Sequence, residues 1–185
     1  MKILRFFLII FISLTSSVKA DLDKKLFKQL EDGGKLIFIR HAYAPGSGDP
    51  NNFNLNDCST QRNLSDEGRK QAEYIGEFFR KKKIKIDKVL SSEWCRCKET
   101  AKIAFKNFST NSFLNSFYSS KFEKNKDKQI NSLNDYIIKF KSEKNLILVT
   151  HYVLISEVLN YGPSSGEIVV SDKNFNMIGS IEIDY

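Results

Sequence analysis

The chain has very few of the residues that usually do chemistry. It contains two histidines, one tryptophan and three cysteines. Three prolines and nine glycines in 185 residues exclude a collagen-like or linker-like chain. No charge-free run reaches the roughly 18 apolar residues of a spanning helix, which excludes a multi-pass membrane protein. No internal repeat is present, which argues against a solenoid. No dense basic stripe is present either. Lysines are scattered, with one short run at Lys81, Lys82 and Lys83, so no nucleic-acid partner is expected.

What is there is ordinary globular material. Apolar residues make up 41% and charged residues 28%, with fifteen Phe and seven Tyr to fill one core. The length suits a single domain. The formal charge of +7 mixes two segments. Met1 to Ala20 carries Lys2, Arg5 and Lys19 and no acid, and the remaining 165 residues hold 26 basic and 22 acidic side chains.

Residues 1–20 have the layout of a signal peptide. A short basic start precedes the apolar stretch Phe6 to Leu14, and small residues Val18 and Ala20 stand at positions a signal peptidase accepts. Cleavage is expected after Ala20, leaving residues 21–185 as one periplasmic or secreted domain with no stable membrane insertion.

Along that domain, Asp21 to Asp32 reads as a short amphipathic helix closed by Gly33 and Gly34. Lys35 to Ile39 is a continuous apolar run, the mark of a strand buried on both faces. Ala42 to Asn63 is rich in Gly, Pro, Asn and Asp and reads as a long loop, a kind of segment that is functional or disordered. Ser65 caps a helix carrying Ala72, Ile75 and Phe79. Asp87 to Ser91 reads as a strand, Trp94 to Phe105 as a helix and Phe113 to Tyr118 as a short third strand. Ile130, Leu133, Ile137 and Phe140 mark another helix. Asn145 to Thr150 is a second fully buried strand, followed by a helix over Tyr152 to Leu159. Glu167 to Val170 and Asn176 to Ile183 read as antiparallel or edge strands. This alternation predicts an α/β fold: one three-layer α/β/α sandwich, with a mostly parallel central sheet and one antiparallel edge strand.

The rare residues concentrate at strand ends. His41 and His151 each follow an apolar strand directly, in Leu36-Ile-Phe-Ile-Arg-His41 and Leu146-Ile-Leu-Val-Thr-His151. Ligands in open α/β sheets bind outside the C-terminal ends of strands. Only six cations are Arg against 23 Lys. Arg40 precedes the first His, Arg96 follows the strand ending at Ser91, and Arg62 lies in the long loop. A planar, permanently charged fork suits bidentate phosphate binding. Two Arg and two His at three strand ends form a cationic cup suited to a tetrahedral phosphoryl group.

The ordered motifs Arg40-His41-Ala42, Leu64-Ser65-x-x-Gly68-x-x-Gln71-Ala72, Ser91-Ser92-x-x-x-Arg96-x-x-x-Thr100-Ala101 and Thr150-His151 resemble the histidine phosphatase (phosphoglycerate mutase-like) superfamily. Shorter strings, Cys58 to Ser65, Trp94 to Cys97 and Ser165 to Val170, look like its exported branch of lipopolysaccharide-core heptose phosphatases. The resemblance implies a phosphomonoesterase in which His41 is the nucleophile and forms a phosphohistidine that water then hydrolyses. It gives Arg40, Arg96 and His151 the phosphoryl oxygens, with His151 as a donor. The substrate implied is a small phosphorylated molecule, such as a sugar phosphate of the cell envelope. Arg62 and Glu167 are expected to bind substrate. No cofactor and no metal are implied, since the arginines bring the positive charge.

One departure stands out. Related enzymes often carry an acid after the third strand, where this chain reads Leu114-Asn-Ser-Phe-Tyr118. Glu167, Asp49 and Asp57 are the candidates to replace it. Its absence motivates one alternative, a catalytically weak phosphate- or phosphosugar-binding protein, and argues against the other, a phosphoglycerate mutase, whose cytosolic substrate the signal segment also speaks against. The sequence does not indicate an oligomeric state. Cys58 is expected to bridge to Cys95 or Cys97, with Cys97 favoured; three free thiols are the competing expectation.

Overall fold

The computed structural model describes residues 24–183. The expected signal peptide and its cleavage after Ala20 lie outside the described residues. A helix over residues 24–32, here α1, leads into strand β1, Leu36–Arg40. Then come helix α2 (Asp66–Lys81), strand β2 (Ile86–Ser91), helix α3 (Cys95–Phe105) and the two-residue strand β3 (Ser109–Thr110). The short helix α4 (Ser120–Glu123) and helix α5 (Lys126–Lys139) precede strand β4 (Asn145–Thr150) and helix α6 (Tyr152–Leu159). Strands β5 (Ile168–Ser171) and β6 (Met177–Ile181) complete the order. None of these helices is long and apolar enough to cross a membrane.

The six strands form one sheet in the order β3-β2-β4-β1-β5-β6. β1, β2, β3 and β4 are parallel; β5 runs against β1, and β6 turns back against β5 to form the edge. Side chains alternate along each strand, so each apolar run serves two layers. Ile37, Ile39, Ile147 and Val149 pack with Leu30 of α1, Ile75 and Phe79 of α2, and Ala101 and Ala104 of α3. Leu36, Phe38, Leu146 and Leu148 face the other way, onto Leu133 and Ile137 of α5 and Leu154 and Ile155 of α6. This is the expected three-layer sandwich, and it explains why β1 and β4 lack polar alternation.

Helix α2 begins where Ser65 accepts a hydrogen bond from the Gly68 amide, 3.2 Å away. Asp66 and Glu67 occupy its first turn and Arg80 and Lys81 its last, each sign at the end of the helix dipole that favours it.

The segment Phe113–Tyr118 does not form the expected strand. Ser112–Leu114 is a single 3-10 turn, capped by the Asn111 side chain on the Phe113 amide. Its carbonyls are taken by side chains. Gln129 donates to Ser112 and Asn115, and Thr150 donates to Leu114. With those groups satisfied and Phe113 and Leu114 buried under α5, nothing remains to build a ladder. The strand that pairs with β2 lies earlier, at Ser109–Thr110, in a stretch with no apolar pattern.

Candidate active site

Register alone brings the two histidines together. β1 and β4 pair in parallel with Arg40 opposite Thr150, so the next residues, His41 and His151, leave the sheet side by side. The His41 amide donates to the Thr150 carbonyl at 2.9 Å, and the imidazole centroids are 5.6 Å apart. On the other flank of β4, the Ser92 amide donates to the Val149 carbonyl. The C-terminal ends of three neighbouring parallel strands thus supply His41, His151 and Ser92, at the position where α/β sheets bind ligands.

The letters of the Gly68–Gln71 and Arg96–Thr100 motifs gain physical roles here. Gly68, Gln71 and Thr100 hold the turn that carries His41. Thr100 Oγ1 accepts from the Ala42 amide at 3.0 Å. Gln71 accepts from the Tyr43 amide and donates to the Ser165 carbonyl, tying two loops across the site. Gly68 must be glycine because a Cβ would sit 2.0 Å from the Tyr43 carbonyl oxygen. Gly166, with φ +71°, likewise leaves the room that the Gln71 amide fills.

His41 is buried, and its Nδ1 lies 2.8 Å from the Ala42 carbonyl oxygen. A carbonyl only accepts, so the proton sits on Nδ1 and the Nε2 lone pair is free. Burial pushes the His41 pKa well below its usual value, and the Arg96, Arg62 and Arg40 charges push the same way. His151 is held neutral by burial first, then by Arg96 and His41. Its Nδ1 lies 3.5 Å from Arg96, and its Nε2 lies 2.8 Å from Ser92 Oγ. Ser92 in turn donates to Asn115, whose amide donates to Glu93.

His41, His151, Arg40, Arg62 and Arg96 all line one cavity of about 330 Å³. Arg40 donates to the Pro163 carbonyl at 2.9 Å and lies 5.5 Å from the Tyr152 ring centroid. Arg62 donates to the carbonyls of Gly48 and Ala44, bracing the long loop. Burial lowers the pKa of both guanidiniums. Arg96, at 3% exposure, forms the deepest charge. The Nε atoms of Arg40 and Arg96 are buried without a hydrogen-bond partner. Among the described residues, no three His, Cys, Asp or Glu side chains cluster as a metal centre would require.

Of the three acid candidates, Asp49 alone reaches the cavity. It is spent on other groups: its carboxylate faces Arg96 through contacts of 2.7 and 3.3 Å and accepts from Trp94 Nε1 at 3.0 Å. Burial raises the Asp49 pKa, but Arg96 outweighs it and holds the group ionised. Asp57 is exposed and caps the turn Cys58–Thr60. Glu167 does not face the cup as expected. It is buried beside β5, where it accepts from Tyr161 Oη at 2.6 Å and from the Ser164 amide at 2.7 Å. It supports the loop behind Arg40 rather than a substrate.

The disulfide joins Cys58 to Cys95, with Cα atoms 5.7 Å apart, and not to Cys97 as favoured. Cys95 opens α3 and faces the loop; Cys97, two residues on, turns inward against the Thr150 carbonyl and His151. Burial raises the free Cys97 thiol to about 12.

The sequence pattern did not reveal the walls of the cavity. Phe53 stacks on Trp94 with centroids 5.0 Å apart, and Phe122 meets both rings edge-on at 5.5 Å. An aromatic in an otherwise Asn- and Asp-rich loop was the available signal for Phe53.

His41, with a free ring nitrogen, thus lies beside His151 and three arginines on one cavity. Residues 36–115 match the histidine phosphatase superfamily, branch 1. Solved structures share this histidine phosphatase fold over most of the chain. The protein histidine phosphatase SixA, complexed with tungstate, superposes with a TM-score of 0.56 at 14% identity, covering 82% of this chain and 94% of that one. A mycobacterial glucosyl-3-phosphoglycerate phosphatase, complexed with VO3, gives 0.57 at 14% identity, covering 75% and 92%. A phosphoglycerate mutase from Thermus thermophilus gives 0.55 at 15% identity, covering 81% and 99%. Among curated proteins none matches the chain.

Proposed function

We propose that this protein is an exported phosphomonoesterase that works through a phosphohistidine at His41. The observation that carries the reading is the fixed tautomer of His41. Its Nδ1 proton is committed to Ala42, which leaves a neutral Nε2 free in a cavity lined by Arg40, Arg62, Arg96 and His151.

Nε2 attacks phosphorus in line and the ester oxygen departs. Water then attacks the phosphohistidine, releasing inorganic phosphate and restoring the imidazole. Phosphoryl transfer needs mostly positioning and charge stabilisation. The arginines serve that need, with buried unpaired Nε atoms on Arg40 and Arg96 facing no competing acceptor. A bound phosphoryl dianion offsets the arginine charges that help hold His151 neutral. It favours a proton on Nδ1, while Ser92 continues to accept from Nε2–H.

Export is supported by the layout of residues 1–20, and it disfavours a mutase whose substrate is cytosolic. The cavity volume suits a small phosphorylated molecule. The likeness of Cys58–Ser65 and Ser165–Val170 to heptose phosphatases makes envelope sugar phosphates one class to assay. The competing reading, a phosphate-binding protein without turnover, draws on Asp49 being tied to Arg96. Incubation with a 32P-labelled donor separates the two. The enzyme forms an acid-labile adduct lost in His41→Ala; a binding protein forms none.

A further inference from the structure

A neutral imidazole can carry its proton on either nitrogen, and the neighbours of His151 leave it one choice. The groups that decide it lie behind the ring. Glu93 meets both ends of the Asn115 amide: its backbone N–H donates to Oδ1 at 2.9 Å, and its carboxylate accepts from Nδ2 at 2.6 Å. A backbone N–H only donates and a carboxylate only accepts, so the Asn115 side chain has a single orientation. Oδ1 therefore faces Ser92, and the Ser92 hydroxyl commits its one proton to it at 3.1 Å. Only lone pairs remain on Ser92 Oγ. The Trp94 amide donates to one at 3.3 Å, and His151 Nε2 lies 2.8 Å away. Nε2 must carry the ring proton to make that contact.

Two further neighbours agree. Cys97 Sγ lies 3.6 Å from the Thr150 carbonyl oxygen, which only accepts, so the thiol hydrogen points there and the sulfur turns lone pairs to Nε2 at 3.5 Å. Across the ring, Nδ1 lies 3.5 Å from Arg96 Nη2, a group that only donates. Ser92 and His151 are both buried, so bulk water does not compete for these positions. Before substrate binds, the proton is on Nε2 and Nδ1 is bare. Nδ1 is the nitrogen on the Arg96 side, toward the cavity. Ser92, Asn115 and Glu93 do not line that cavity.

We propose that Asn115, clamped by Glu93, is a positioning residue that acts through Ser92 to fix the tautomer of His151 and keep a bare Nδ1 toward the phosphoryl site. The proposal rests on the phosphatase reading and deepens it. A bare Nδ1 takes a proton from solvent when the phosphoryl group arrives. The ring then carries a full charge with both N–H groups accepted, Nδ1–H by a phosphoryl oxygen and Nε2–H by Ser92. Hydrogen bonds from a charged donor are about twice as strong as neutral ones. Without Asn115 the Ser92 hydroxyl is free to turn and donate to Nε2. That contact stabilises the opposite tautomer, in which Nδ1–H offers a neutral bond and the hydroxyl hydrogen opposes a charged ring.

The test reads the ring nitrogens directly. The chain has two histidines, so untagged mature protein labelled with 15N-histidine gives two ring systems, and His41→Ala assigns them. Without substrate and above the pKa of both rings, the expected pattern is opposite tautomers: the proton on Nδ1 in His41 and on Nε2 in His151. Asn115→Ala should draw the two His151 15N shifts toward each other as the tautomers mix, and leave those of His41 in place. It should also lower kcat/KM about three- to tenfold, the range of one hydrogen bond. Asn115→Leu, which keeps the branched shape, takes its place where Asn115→Ala does not fold. In the Glu93→Gln, Asn115→Asp pair the donor and acceptor exchange ends and an acceptor still faces Ser92, so the His151 shifts should separate again. A merely structural Asn115 would lower stability and activity but leave the tautomer alone. His151 protonated on Nδ1 in the parent, or His151 shifts unmoved in the Asn115 variant, overturns the proposal. These spectra need no turnover. Absence of 32P on His41 in a parent that shows them instead overturns the phosphatase reading itself.

Discussion

The floor and the roof of the cavity are built by different rules. The floor is made of β-strand ends. His41, His151 and Ser92 are placed by the register of β1, β4 and β2, and all three are buried. The roof is the loop between β1 and α2 and the segment from Ser112 to Glu123. It is held by side chains on backbone carbonyls, by one disulfide and by the Asp49–Arg96 pair. A floor built from sheet register has no slack, so changes there should act on chemistry. A roof tied by replaceable contacts should act on affinity and stability.

The largest effect should come from the floor. His41→Ala should leave less than about a hundredth of wild-type kcat, because a covalent nucleophile has no substitute, with little change in melting temperature. Arg96→Lys should cost about a hundredfold in kcat/KM. The ammonium keeps the charge but cannot present two parallel donors. Loss of only a fewfold in Arg96→Lys would place Arg96 among the structural residues.

The roof should behave differently. The Cys58–Cys95 bridge closes a loop over a sequence separation of 37, worth on the order of 3 to 4 kcal/mol in a chain-entropy account. The Cys58→Ser, Cys95→Ser double variant should lose stability of that order in chemical denaturation while keeping a kcat within about tenfold of wild type. In the oxidised parent, one thiol should react after denaturation and essentially none before, because Cys97 is buried with its pKa raised to about 12. Asp49→Asn should tighten vanadate or phosphate binding severalfold, since it removes the anion that competes for the Arg96 fork. It should also lower stability by leaving a buried guanidinium unpaired.

The same contrast marks what the sequence made legible. β1 and β4 could be read as sheet centre because their apolar runs feed two helical layers. From that, His41 and His151 at matched ends followed directly. The roof could not be read in this way. Ser112–Leu114 looked like a strand because Phe113 and Leu114 are apolar, yet a pattern of hydrophobicity does not show that Gln129 and Thr150 have claimed the carbonyls. Glu167 looked available because a strand begins beside it, but Tyr161 and Ser164 come from a loop whose path no local rule specifies. Cys95 and Cys97 are separated by about 200° around a helix, and only the path of the loop selects between them.

A smaller effect follows from the floor's neutral histidines. Both have folded-state pKa values below that of the unfolded chain, so the unfolded state binds more protons as pH falls below about 6.5. Stability should therefore be full above that pH and decline beneath it, by at most about 1.4 kcal/mol per pH unit for each histidine. His151→Gln should flatten part of that slope, measured as denaturant midpoints at pH 5.5 and 7. Saturating phosphate should flatten it further by favouring the charged ring.

The measurement that bears most directly on the central claim is the chemical identity of the enzyme-bound phosphoryl group. Mature protein would be mixed with a 32P-labelled phosphoryl donor, quenched in alkali within milliseconds and digested. The account predicts a label that is stable in base and labile in acid, on Nε2 of His41, forming and decaying at rates compatible with kcat. Label on another residue, or turnover with no adduct at His41 at any time, would contradict it.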